Sequence, residues 1–436
     1  VLLTGGLLLD TMESYTNGAA LNGLNQGTGW CKTASYVDRT NYVGIVSLDT
    51  MESYTTGTEL IPLSGGTGWP ASYAGDNALP SIPATMLSFV GETVTITATI
   101  TGTGIPPLSY QWKKNGIALS NAGEYSGVTT LTLTITGYAS GDDGTYTFEA
   151  TDNISRIFAS NGCVATSNTR GADWAARVQT NGGAAPAAGT VTAINTFWSA
   201  VISAGIVGKI KYLNIIAPDS LIASYTPLVV GIGLDPWVKK VVGTGAGESL
   251  TVNGLLSSAS TTNGNAYDTG VTPSAVSSFN TGNGGLCVYV SDPVPTNTPN
   301  SIVGSFDGTS TGFLIVAYDG GVARSYLWFS SISAVGAHTQ VGGFYVSSRT
   351  ATNVHNIYFA NSSVAWASLG SNSSVNSNVP LANKVAAGGA LSTATYGCCP
   401  QRISIVGIID GLTTTQGQAL YNAVQALRTS FGGGFV

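Results

Sequence analysis

PLSYQWKKNGIALS (107–120) and TTLTLTITGYASGDDGTYTFEATD (129–152) are the stretches whose reading decides the fold. In TTLTLTIT, Thr alternates with Leu or Ile, the two-residue period of a half-buried strand. YQWKKNG sets one Trp in a short strand and ends on Asn115-Gly116, a dipeptide that favours a tight hairpin turn. Asp142, Gly144 and Tyr146 then fall at every second position ahead of Phe148.

Taken together, these features resemble the immunoglobulin-like sandwich over residues 80–152. The resemblance implies that Trp112 is the core Trp of strand C and Tyr146 the tyrosine-corner residue before strand F. The two positions that usually carry the intersheet disulfide read Ala98 and Phe148. A small residue facing a large one fills that space without a covalent bond, provided the pair packs against Trp112. The expected core is therefore Ala98, Trp112, Tyr146 and Phe148, and it does not depend on an oxidising compartment. Modules of this family act as spacers or adhesive units, and this one brings no catalytic group.

The chain has 436 residues, room for two or three domains. Charged residues make up 9%, against about 25% in ordinary soluble proteins. Gly occurs 57 times, and Ser, Thr and Asn fill much of the remainder. This composition suits short strands and turns and an all-β extracellular or particle-surface protein. The net charge is −6, with 16 Lys plus Arg and no basic cluster, so nucleic acid is not an expected partner. No uninterrupted apolar run reaches the roughly 18 residues that read as a membrane span. The closest approach, 221–238, is broken by Ser224, Thr226, Pro227, Asp235 and Pro236. The opening VLLTGGLLLD lacks the basic region and cleavage site of a signal peptide. It also lacks an initiator Met, as expected of a processed or partial chain.

Cys31, Cys163, Cys287, Cys398 and Cys399 form no CxxC pair or other zinc spacing. Buried, inert thiols are one reading of them. A bond to a neighbouring copy through Cys31 or the Cys398-Cys399 pair is the other.

The first 79 residues contain a duplication. LDTMESYTNGAALNGLNQGTGW (9–30) returns as LDTMESYTTGTELIPLSGGTGW (48–69). Each copy opens acidic and aromatic (Asp10, Glu13, Tyr15; Asp49, Glu52, Tyr54) and closes on Gly-Thr-Gly-Trp. Units this short cannot each bury a core, so they are expected as extended arms that complete a sheet on the C-terminal domain or on another chain. Tyr15, Trp30, Tyr54 and Trp69 are the candidate assembly contacts. The pattern resembles segments of tailed-bacteriophage virion proteins, where they stand beside immunoglobulin-like and lectin-like domains.

After a Pro80–Pro83 linker and the sandwich, 153–436 reads as a further domain. VTAINTFWSAVISA (191–204) has helical spacing, with Ile194, Phe197, Trp198, Val201 and Ile202 on one face and Gly205 as its stop. Strands follow: KIKYLNII, YTPLVVGIGL, GLCVYVSD, SIVGSFDG, GFLIVAYDG, RSYLWFSS, GGFYVSSRT, NVHNIYFANSS and RISIVGIIDG. A closing helix spans 413–431. Thr413 with Gln416 forms its capping box, Leu420, Ala423, Val424 and Leu427 its apolar stripe, and Gly432 its C′ residue. A helix, many antiparallel strands and a closing helix after RISIVGIIDGLT resemble concanavalin A-like (laminin-G-like) jelly rolls of phage tail and capsid-associated proteins.

Such folds include glycosidases, which need two carboxyl groups facing one cleft. From Asn153 onward the only Glu is Glu248, in the turn-like context GTGAGESLTV; Asp307 with Asp319 is an alternative pair. His338 and His355 are the only histidines, expected in a turn or on a strand surface, and no G-x-S-x-G elbow accompanies them. No cofactor is implied. Structural calcium through Asp292, Asp307 and Asp319 is the one metal option, and it would need six to eight oxygens. Trp237, Tyr326, Trp328, Phe344, Tyr345, Tyr358 and Trp366 are numerous enough for a sugar-stacking platform, though strand alternation sends about half of them to a core. The resemblances imply a non-enzymatic virion structural protein on the particle surface, as capsid decoration or head fibre. Its expected partners are other virion proteins and copies of itself. The alternative is an adhesin that binds a host-surface glycan or receptor.

Overall fold

The computed structural model describes residues 2–3, 7–8, 79–101, 108–152, 155–245, 247–257, 264–291, 301–306, 312–316, 324–329, 342–351, 353–373, 383–392, 395–396 and 399–433. The two repeats, with Tyr15, Trp30, Tyr54 and Trp69, lie outside the described residues, as do Cys31, Cys398, Asp292, Asp307, Asp319 and His338. The protein is mainly β and divides into two compact units. The first holds 1–85, 95–134 and 144–164; the second holds 86–94, 135–143 and 165–436.

In the first unit, β1 (Val94–Thr97) pairs with the strand Thr132–Ile135, whose Leu133 and Ile135 are buried as the alternation requires. Strand β2 (Ser109–Lys114) turns through Asn115 and Gly116, at φ 49° and 82°, into β3 (Ile117–Ala118). Two consecutive positive φ values make this the tight hairpin expected of Asn-Gly. The long strand β4 (Gly144–Thr151) runs antiparallel to β2 with Phe148 opposite Trp112. Two more strands follow Asp152. β5 (Ile157–Ala159) pairs with β4, and Cys163–Asn168 comes next.

Among the described residues the second unit contains four α-helices where the spacing pointed to two. The additional ones are α1 (Arg170–Thr180) and the short α3 (Leu221–Tyr225); α2 (Ala188–Ser203) and α4 (Thr414–Ser430) stand where expected. In α1 the apolar positions are sparse, but Trp174 and Val178 are four apart and fully buried, which suffices for one packed face. YTPLVVGIGL is not a strand. It leaves α3 and makes only an isolated bridge, Leu213 to Val229, because Pro227 has no N–H to donate.

Two sheets, antiparallel except where Leu391–Ser392 runs parallel to Ser301–Phe306, carry the rest. The first has eight strands among the described residues: β6 (Ile210–Ile215), β7 (Ser249–Thr251), β8 (Gly254–Leu256), β9 (Gly284–Val290), β10 (Gly343–Ala351), β11 (Val354–Ala360), β12 (Ala367–Asn372) and β13 (Arg402–Ile409), in the order β7-β8-β13-β9-β10-β11-β12, with β6 also on β13.

 The second sheet runs in the order Val238–Val242, Gly264–Asp268, Ala386–Ala387, Ser301–Phe306, Gly312–Val316, Arg324–Phe329.

The first sheet is the middle layer of this unit, and both of its faces are buried. Leu286, Val288 and Val290 of β9 join Phe313, Ile315 and Leu327 in the core between the sheets. Cys287 and Tyr289 point the other way, into a second core with Trp174, Phe197, Trp198 and Leu420 of the helices. This is why GLCVYV and RISIVGII read as nearly unbroken apolar runs. In β13 the register against β9 slips between Ile405 and Ile403. The extra residue puts Ser404 and Ile405 on the helix side and restores Val406 and Ile408 to the intersheet core. Gly407 is the gap in that run because a Cβ there would meet Cys287 Sγ at 2.5 Å.

Helix α4 is built as its sequence indicates. The Thr413 hydroxyl accepts from Gln416 N while the Gln416 side chain accepts from Thr413 N, and Leu420, Ala423, Val424 and Leu427 are buried. At its end, Gly432 at φ 76° donates to Thr429 O and Gly433 donates to Arg428 O, the paired bonds of a Schellman motif. Thr413→Ala, which removes one half of the capping box, is expected to cost about 1 kcal/mol in urea unfolding, and Thr413→Ser less than half of that.

Candidate functional site

Within the first unit, Trp112 and Phe148 meet edge to face at 5.0 Å between ring centroids, and Trp112 Nε1 donates to Thr130 O. Ala98, Trp112, Tyr146 and Phe148 are all buried, with the Lys114 ammonium 5.9 Å from the Tyr146 ring. Cys163 is a free, buried thiol, so no disulfide serves this core.

In the second unit three polar constellations stand out. The first is centred on Arg170 at the start of α1. Its guanidinium makes a two-pronged bond to Glu92, at 2.7 and 2.9 Å, and stacks on Phe89 and Trp198 at 3.7 and 4.8 Å from the ring centroids. Trp198 Nε1 donates to the same carboxylate at 2.6 Å. Planarity lets one guanidinium make both kinds of contact.

The second is centred on Glu248. Its Oε1 accepts from Tyr225 and Tyr267, each at 2.5 Å, and its Oε2 from Lys239 at 2.6 Å. Tyr267 stacks on Trp237 at 5.7 Å. Burial alone would raise the carboxyl, but the bonds from Lys239, Tyr225 and Tyr267 and the charge of Lys239 outweigh it and hold the group below its ordinary range. Burial first, and then the bond to Glu248, push both tyrosine hydroxyls up. Glu248 is thus an ionised carboxylate that ties Tyr225, Lys239 and Tyr267 together, the reverse of the raised carboxyl that protonates a leaving group.

The third surrounds His355, which is 2% exposed rather than on a strand surface. Its Nε2 lies 3.0 Å from Ser325 Oγ and from Ser347 Oγ, one hydroxyl from each sheet. Arg349 is its cross-strand partner and is fully buried. Burial, and secondarily the charge of Arg349, push the imidazole down to about 3. In the unfolded chain His355 takes up a proton near pH 6.5, while in the folded protein it stays neutral down to about 3. Its contribution is therefore complete above pH 6.5 and is lost as pH falls through that window. Between pH 8 and pH 5 it removes about 2 kcal/mol, and His355→Gln is expected to flatten this part of the stability profile measured by urea unfolding.

Beside His355 a recess of about 230 Å³ is lined by Asn353, Asn356, Ser371, Asn372 and Ser373, with Val354 at its edge. Among the described residues no sugar-stacking platform accompanies it. Trp237, Phe344, Tyr345 and Tyr358 are buried in the two cores, and Trp366 packs on Tyr358 at 5.3 Å; the side chains of Tyr326 and Trp328 are outside the described residues. These aromatics pack because the middle sheet is covered on both faces. Among the described residues no group of three or more His, Cys, Asp or Glu side chains could hold a metal ion. Among them, too, no helix is long and apolar enough to cross a membrane.

Sequence spacing singled out Glu248 and His355 without their surroundings. It missed Arg170, Glu92 and Lys239 entirely. Glu92 lies 78 positions from Arg170 and 106 from Trp198, and no local pattern links residues so far apart.

The immunoglobulin I-set domain model matches residues 80–160. No curated protein matches the chain. Among solved structures, the tandem Ig repeats of Dlar are 24% identical over 21% of this chain and 49% of that one, with a TM-score of 0.19. The N-terminal Ig1-2 module of the Drosophila receptor protein tyrosine phosphatase DLAR is 24% identical over 21% of this chain and 47% of its own, at 0.19. The M1 domain from titin is 17% identical over 21% of this chain and 95% of its own, at 0.18. The chain thus spans about half the length of the Dlar structures that it matches. An immunoglobulin-like domain supports a surface or adhesion-type protein, in which such domains serve as binding or structural modules.

Proposed function

We propose that this chain is a non-catalytic structural protein on the exterior of a tailed-bacteriophage particle, as capsid decoration or head fibre. We read 153–436 as a concanavalin A-like jelly roll, with the duplicated N-terminal arm docking on virion proteins or on further copies of the chain through Tyr15, Trp30, Tyr54 and Trp69. The observation that carries the reading is the combination of an I-set match at 80–160 with two near-identical acidic, aromatic repeats upstream of it. The polar groups of the second unit are consistent with it, since Glu92, Glu248, Asp235 and Asp410 each bond a cation of the same unit. Assembly would then proceed by strand pairing and burial of apolar area, with no turnover. Quantitative mass spectrometry of purified particles tests it. Many copies per particle are expected, and absence from the particle would overturn the proposal.

A second reading, a glycan- or receptor-binding adhesin, is favoured by one feature, the polar recess beside His355. Few copies per particle, or location on a cell surface, would move the assignment toward it.

A further inference from the structure

The recess beside His355 is built on rigid backbone. Its walls come from β11, from the end of β12 and from Asn353 in the turn before β11. Cross-strand pairing sets Asn372 opposite His355 and Ser371 opposite Asn356. Sites on paired strands hold their side chains more exactly in place than sites on loops.

The chemistry of the lining narrows the ligand. Asn and Ser side chains both donate and accept hydrogen bonds, as sugar hydroxyls do. Among the described residues no carboxylate, Lys or Arg lines the recess, so neither an anion nor a cation would meet a counter-charge there. Val354 is 40% exposed at the edge and offers a small apolar surface to the C–H face of a ring. At about 230 Å³ the space is below the roughly 300–1,000 Å³ of drug-sized pockets, which suits one sugar residue rather than an extended chain.

We propose that this recess binds a single neutral sugar residue, such as the terminal hexose or N-acetylhexosamine of a glycan. The inference rests on the second reading above and is independent of the first. His355 stays uncharged across the physiological range, so the recess keeps the same lining from pH 8 to pH 5.

Saturation-transfer NMR of the full chain tests this with glucose, galactose, mannose, N-acetylglucosamine and N-acetylgalactosamine, and with glucuronic acid as an acidic comparison. At least one neutral sugar is expected to show transfer with millimolar affinity, and glucuronic acid is expected to bind no tighter. Asn356→Ala and Ser371→Ala are each expected to weaken binding at least fivefold while the thermal midpoint stays within a degree or two. The proposal is overturned if no neutral sugar shows transfer, if glucuronic acid binds tighter, or if neither variant changes the affinity. Should one variant fail to fold, the other gives the same reading. Particle copy number is measured separately, so a dry recess leaves the structural reading standing.

Discussion

Arg170→Ala is expected to destabilise the second unit by about 3 kcal/mol, the cost of breaking one member of a largely buried ion pair. The side chains of Arg170 and Glu92 are 17% and 12% exposed, so water screens the pair little. Removing the guanidinium leaves Glu92 with the Trp198 N–H as a donor and uncovers the faces of Phe89 and Trp198. Arg170→Lys keeps the charge but loses the fork and most of the stacking, and about half of the loss is expected to remain. A double-mutant cycle with Glu92→Gln in urea unfolding should give a coupling of about 1.5 kcal/mol or more. A total loss below about 0.5 kcal/mol for Arg170→Ala would make the arrangement an ordinary surface pair.

Trp112→Ala is expected to cost about 3–5 kcal/mol, the range for deleting a fully buried aromatic side chain. Nothing in this core compensates for the loss, because no disulfide ties its sheets and Phe148 uses Trp112 as its edge-to-face partner. The indole N–H bond to Thr130 O is lost as well, leaving a carbonyl to be satisfied by water. Trp112→Phe keeps the ring contact but not that bond, and about 1–2 kcal/mol is expected. Near-UV circular dichroism during urea titration separates the two variants. Equal, small shifts for both would show that Ala98 and Phe148 close the core without the indole.

Much of this architecture was legible because it is written in short-range pattern. The Thr/Leu alternation of 129–136, the Asn115-Gly116 turn, the Thr413–Gln416 box and the Gly432 terminator each act within a few residues, and each stands in the structure where its spacing put it. YTPLVVGIGL misled because an apolar run does not say whether its backbone finds a strand partner. RGADWAARVQT was passed over because two buried residues, Trp174 and Val178, are enough for a helix that packs on one side.

The candidate site was far less visible. Glu248 looked like a turn residue and became the common acceptor of two tyrosines and a lysine drawn from separate segments. His355 looked like a surface residue and lies between serines of two sheets. By itself, then, the sequence determined the tight hairpin turn, the alternating and apolar strands and the two strongly periodic helices, since those follow from local sterics and periodicity. Only the tertiary structure decided which charges are neutralised, which aromatics are covered and where a recess remains. Those outcomes depend on side chains from distant parts of the chain sharing one desolvated space, where a nearby donor or charge counts for far more than it does in water.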